Sequence, residues 1–289
     1  MRHAIGLTVG PATFRIGSAW RGPIAAIRRL YRHYPQPAPD AMVPDFTVRL
    51  QPAQPWRRHI RPSIFIAGDH WLADAAPMAL AHGLLAAEMG MNLQMALGWR
   101  RHLLLHAACV ERDGRALVIT GESGSGKSTL AALLGERGWR LLGDEFALLD
   151  PHSGAIHPFP RLVSLKNAAI APATERISPD RLGPILDGTA KGRIRHLVPR
   201  AEAIARMAEP AAPALLLLPR YGFAPDQRTI APGEAFVRLT QASTNYVALG
   251  EAGFTALTRF VTSVPAVALD YPDGASALAA VEALWRELA

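Results

Sequence analysis

The apolar positions change period several times along the chain, and each change marks an element. Residues 6–18 alternate as a strand or hairpin does, and 21–34 carry a helical pattern behind Gly22 and Pro23. A proline-rich loop over 35–55 is interrupted by the strand-like stretch 46–50, and SIFIA at 63–67 is a further short strand. Leu80, Leu84, Ala87, Met91 and Met95 then recur at helical spacing within 77–99. Together these elements predict an N-terminal α+β region over residues 1–100, packed on or extending a core at 101–289.

The texture changes at residue 103. LLLHAACV (103–110) is a nearly unbroken apolar run, Asp113 and Gly114 are turn residues, and RALVIT (115–120) reads as a second buried strand. A glycine-rich loop follows, then helix-forming composition over 128–137 stopped by Gly138. Strand-like stretches at 139–142 and 146–150 flank Gly143, Asp144 and Glu145. Strands are also expected at 215–218, 236–239 and 266–269, and helices at 246–261 and 275–288. Strands interleaved with helices predict an α/β core.

Composition narrows the class. With 289 residues, 49 % of them apolar and 19 % charged, the chain is no disordered segment. Its one cysteine, Cys109, cannot close an intrachain disulfide and fits a reducing compartment. The net charge is +7, yet the lysines are only Lys127, Lys166 and Lys191, and the arginines are scattered without a run of five like charges. That pattern predicts an anionic substrate and no nucleic-acid partner. Residues 1–10 hold a single Arg and no long apolar core, so no secretory signal is expected. His82, Glu88, Asn92 and Gln94 interrupt 77–99, which therefore reads as a buried or subunit-facing helix and not a membrane span. A cytoplasmic protein, with room for homo-oligomer formation, is the expectation.

The chemistry-bearing pattern is Gly121-Glu122-Ser123-Gly124-Ser125-Gly126-Lys127-Ser128-Thr129, which fits G-x-x-x-x-G-K-[ST] at every fixed position. A buried strand precedes it and a helix follows, as a phosphate-cradling loop requires. Glycines let the backbone curl so that its N–H groups converge on phosphate oxygens, and the helix N-terminus adds partial positive charge. Lys127 is then placed to neutralise the β- and γ-phosphates of ATP, and the Ser128 hydroxyl to ligate Mg²⁺. Thr129 begins the helix with no assigned role.

Asp144 and Glu145 come at the end of the next strand, where neighbouring strand ends share one crevice. One carboxylate there can take the proton of an attacking hydroxyl while the other holds the metal. A solvated turn is the plainer reading of Gly-Asp-Glu taken alone. The run 215–218 ends in Pro219-Arg220 without an acid, and no LSGGQ-like segment occurs, unlike transporter and ring-motor ATPases. Three readings follow: a kinase acting on a protein hydroxyl, a small-molecule kinase of the shikimate or nucleoside-monophosphate type, and an ATP-sensing module without transfer.

His106, separated by fourteen residues from GESGSGKS, and RGWRLLGDE at 137–145 resemble the HPr kinase/phosphorylase superfamily, which shares its core with phosphoenolpyruvate carboxykinase. PRLVSLKN at 160–167 and TNYVALGEAGF at 244–254 are similar to the HPr-kinase-related kinases of exosortase and exopolysaccharide loci. The resemblance implies a mixed-sheet core with flanking helices, Mg²⁺ and ATP, and a serine-type hydroxyl of a protein or peptide as acceptor. It implies His106 as the active-site histidine, Asp144 as proton acceptor and Glu145 near the metal. Thr129 stands where HPr kinases carry Glu, and Glu145 where they carry Asp. On a regular strand Arg161 and Lys166 point opposite ways, and Lys166 is the one expected near the phosphates. Lys191, Arg193 and Arg195, at period two, predict one positive face.

Overall fold

The computed structural model describes residues 3–72, 74–175 and 177–288. Alternating apolar side chains make His3–Val9 and Ala12–Ser18 an antiparallel hairpin, with Leu7, Val9, Phe14 and Ile16 turned inward. Phe46–Pro52, Ser63–Gly68 and Met78–Ala79 extend it to five strands. The helix Arg21–Leu30 buries Ile24, Ile27 and Leu30 and leaves Arg28 and Arg29 in water. The second helix starts at Gly83 and ends at Gly98, shorter than the 77–99 pattern, because Met78–Ala79 is spent pairing with the sheet. Its Met91 and Met95 pack with Phe14, Leu50, Leu104, Phe146 and Phe159, so this core draws on both sides of residue 100.

A six-stranded sheet lies at the centre of the remainder. Its order is Asp226–Ile230, Ala266–Tyr271, Ala212–Tyr221, Arg115–Thr120, Ala107–Arg112, Arg140–Gly143. The three middle pairings around Ala212–Tyr221 and Arg115–Thr120 are mixed: parallel toward Ala266–Tyr271, antiparallel toward Ala107–Arg112. Arg140–Gly143 is antiparallel to Ala107–Arg112 and thus runs with Arg115–Thr120. Four strands therefore finish at one edge, in the order Tyr271, Tyr221, Thr120, Gly143. Leu117 and Ile119 face the helices Lys127–Glu136 and Gly274–Glu287, while Ala116 and Val118 face Pro232–Ala242 and Tyr246–Ser263. Two aromatic rings, Trp139 and Trp285, meet edge-to-face at 4.7 Å between centroids, beside Glu282, which accepts from Arg112 and the Trp139 indole. Among the described residues no helix is long and apolar enough to cross a membrane.

Two sequence expectations are corrected here. Residues 236–239 belong to the helix Pro232–Ala242, where Pro232 supplies a preset first turn and Ala235 and Leu239, four apart, form the buried side. The run 103–110 is not one strand: Leu103–Leu105 pairs with Ala147–Leu149, Ala107–Arg112 joins the central sheet, and His106 is the break between them.

Candidate active site

The loop between Arg115–Thr120 and Lys127–Glu136 turns on three glycines held at positive φ: Gly121 at 149°, Gly124 at 89° and Gly126 at 98°. A Cβ at Gly126 would run into the Tyr271 hydroxyl, which adds crowding to a backbone conformation that already favours glycine. The same hydroxyl donates to the Ser125 carbonyl at 3.3 Å, and the Ser125 N–H to the Glu122 carbonyl at 3.3 Å. Glu122, Ser123 and Gly124 are exposed, and Thr129 is half-buried one residue into the helix's first turn beyond Ser128. Lys127 lies under the loop, its ammonium donating to the Gly121 and Glu122 carbonyls at 2.7 Å each. Burial lowers its pKa, with Lys166 and Lys191 acting in the same direction and Asp144 and Glu145 opposing.

Asp144 follows directly on Arg140–Gly143 and is buried. Its Oδ2 accepts from the Ser164 N–H at 3.0 Å, while Oδ1 is buried with no partner. Burial first, and the charge of Glu145 second, push this carboxyl above the ordinary range; the Ser164 N–H, the Ser128 hydroxyl and Lys166 pull back without cancelling them. Glu145 goes the other way. Burial would raise it, but the His106 hydrogen bond and the charges of Arg161 and Lys166 outweigh burial and keep it ionised. His106 Nε2 lies 3.4 Å from Glu145 Oε2, with about half the imidazole surface (48 %) exposed. Its backbone fixes it there: the N–H donates to the Ala242 carbonyl at 2.8 Å, and the carbonyl accepts from the Thr120 hydroxyl at 3.1 Å. The histidine is a break between two sheets and not a core residue.

Lys166 closes the short strand Val163–Lys166 and contributes its charge to both acids. Arg161 does so at Glu145 as well. The expectation that Arg161 and Lys166 face apart assumed one regular strand; the strand begins only at Val163, and Arg161 precedes it. The face expected from Lys191, Arg193 and Arg195 is likewise divided, since Lys191 precedes Gly192–Leu197, Arg193 pairs with Asp187 at 2.7 Å, and Arg195 donates to the Gly183 carbonyl.

Behind the acids lie three side chains, Arg161, Glu88 and His196, to which the sequence assigned no role at the site. Arg161 is 3 % exposed and lies 3.3 Å from Glu88, which is 4 % exposed and also accepts from the Tyr31 hydroxyl at 2.8 Å. His196 is fully buried with neither ring nitrogen partnered, and burial, Arg161 and Lys166 lower its pKa to about 4. A carboxylate in the apolar helix Gly83–Gly98 was the available signal for Glu88, because a buried charge demands a partner. His196 had no such signal.

A separate cluster, His102, Asp150 and His157, offers metal-type donor atoms within 4.8 Å of one another. The Trp99 indole, which can only donate, bonds His102 Nδ1 at 3.0 Å and so leaves that ring's proton on Nε2. A metal-bound histidine instead donates its second nitrogen to an acceptor. The cluster is wired as hydrogen-bonded packing, with His157 Nε2 3.4 Å from Asp150 Oδ2.

The residues present suit a nucleotide and Mg²⁺. The loop is shaped by glycines, with open space where a Gly124 side chain would stand, a buried cation lies beneath it, and a buried carboxylate oxygen beside Ser128 has no partner. No protein-family model and no curated protein matches the sequence. Among solved structures, the Hpr(Ser) kinase/phosphatase from Coxiella burnetii is similar over 64 % of this chain and 94 % of that one, at 15 % identity and a TM-score of 0.29.

Proposed function

We propose that the chain is a Mg²⁺- and ATP-dependent kinase that transfers the γ-phosphate to a serine-type hydroxyl of a protein or peptide. The observation that carries this reading is Asp144: buried, unpartnered at Oδ1, raised in pKa, and set beside Ser128 at the start of the helix that follows the glycine loop. A carboxylate so placed accepts the proton of an attacking hydroxyl and has the driving force to hold it. The backbone of residues 121–128 and Lys127 would bind the phosphates, and Ser128 and Glu145 would hold Mg²⁺, which supplies charge neutralisation at the phosphate oxygens. His106 keeps Glu145 ionised and oriented, and Lys166 adds positive charge on the same side. Phosphoryl transfer asks little covalent work of a protein, so positioning and charge are enough. The protein acceptor is supported by the motifs at 106–145, 160–167 and 244–254. In the family those motifs resemble, proteins are the acceptors.

The test is ATP turnover and labelled γ-phosphate transfer into host lysate by wild type, Lys127→Ala and Asp144→Asn. Transfer to a protein band, lost in both variants, is expected. Phosphate release equal in all three proteins would overturn the assignment.

A further inference from the structure

The upper edge of the central sheet sorts the site by strand. Asp144 stands two strands to one side of the glycine loop, at the end of Arg140–Gly143. On the other side, at the ends of Ala212–Tyr221 and Ala266–Tyr271, the first half of the loop (121–125) forms one wall of a cleft of about 690 Å³. The two sites therefore flank the loop on opposite sides. A ligand that spans the loop with its reactive phosphate toward Asp144 finds room for its other end in this cleft.

We propose that the cleft holds the nucleoside of the nucleotide, with the Phe223 ring as the face on which the base stacks; this rests on the kinase reading above. The volume falls within the usual range for small-ligand pockets. Phe223 stands in it 48 % exposed, and Tyr221, 56 % exposed, lines the same cleft, so two ring faces are presented together. The guanidinium of Arg220 lies 4.1 Å from the ring centroid and is held by Asp270, so a planar, cation-tolerant stacking surface is already assembled. Arg228 and Arg238 both bond Glu234 and Arg220 bonds Asp270, so the cleft's cations are engaged by carboxylates and its exposed ring faces remain for recognition. An acceptor hydroxyl lodged here would sit across the loop from Asp144, which excludes the cleft as the acceptor site.

Calorimetric titration of the full chain in Mg²⁺, with ATP and with inorganic tripolyphosphate, separates the two readings. Phe223→Ala is expected to weaken ATP about tenfold or more and leave tripolyphosphate unchanged, and Phe223→Trp to retain ATP affinity. Unchanged ATP affinity in Phe223→Ala, or an equal loss for both ligands, overturns the nucleoside site while the phosphate loop stands. Failure of wild type to take up either ligand overturns both.

Discussion

Asp144 holds two properties in tension. Its burial and its ionised neighbour raise its proton affinity, which suits a base, and the same features make its charged form costly to the fold. Because the folded-state pKa lies above the unfolded one, the charge costs stability at neutral pH, and that cost disappears as pH falls through the raised value. Asp144→Asn is therefore expected to raise the thermal midpoint at pH 7.5 while lowering turnover at least about 10²-fold and sparing nucleotide affinity. Loss of calorimetric ATP binding in this variant would contradict the proton-acceptor role. In wild type the acid limb of kcat should lie above the ordinary carboxylate range near 4, activity falling as pH drops and the carboxyl protonates. Lys127→Ala should abolish ATP binding without lowering the thermal midpoint, since its ammonium bonds only loop carbonyls. The loop, Lys127 and the two acids were legible because their spacing is local. The environment of His106 was not: an apolar run reads as one strand, and partners remote in sequence, Ala147–Leu149 and Ala242 and Ser243 among them, divide it.

Among elements, the informative contact is the one between the helix Gly83–Gly98 and the segment leading into Val163–Lys166. Glu88 and Arg161 form a buried pair, and Arg161 in turn acts on Glu145. Glu88→Ala leaves a buried guanidinium short of its counter-charge and should cost about 3–5 kcal/mol in urea unfolding. Replacing both, as Glu88→Leu with Arg161→Met, should restore most of that loss, and failure to do so would point to packing in place of charge as the origin. Element identity was readable wherever periodicity was strong. It failed at 236–239, where four residues, Phe236, Val237, Arg238 and Leu239, are too few to distinguish a strand from one turn of an amphipathic helix. It failed again between Arg161 and Lys166, where alternation was extended past the point at which the strand begins.

At the scale of the molecule, the first hundred residues are more than an appendage to the rest of the chain. Met91 and Met95 share a core with Leu104, Phe146 and Phe159, and Tyr34 donates to the Pro160 carbonyl at 2.5 Å. A fragment starting at residue 101 would expose that apolar surface and strand Arg161 without Glu88. It is expected to lack the cooperative urea transition of the whole chain, as followed by circular dichroism. The α/β character of the core was legible from alternating runs, but the strand order was not, because pairings such as Leu216 with Ala266 depend on contacts made across the chain. The Trp139–Trp285 contact lends itself to spectroscopy. Two indoles so close and so inclined couple their electronic transitions, and one of them heads the strand that ends at Asp144. The resulting ultraviolet couplet is an intrinsic gauge of whether the C-terminal helix is seated, readable in unlabelled protein.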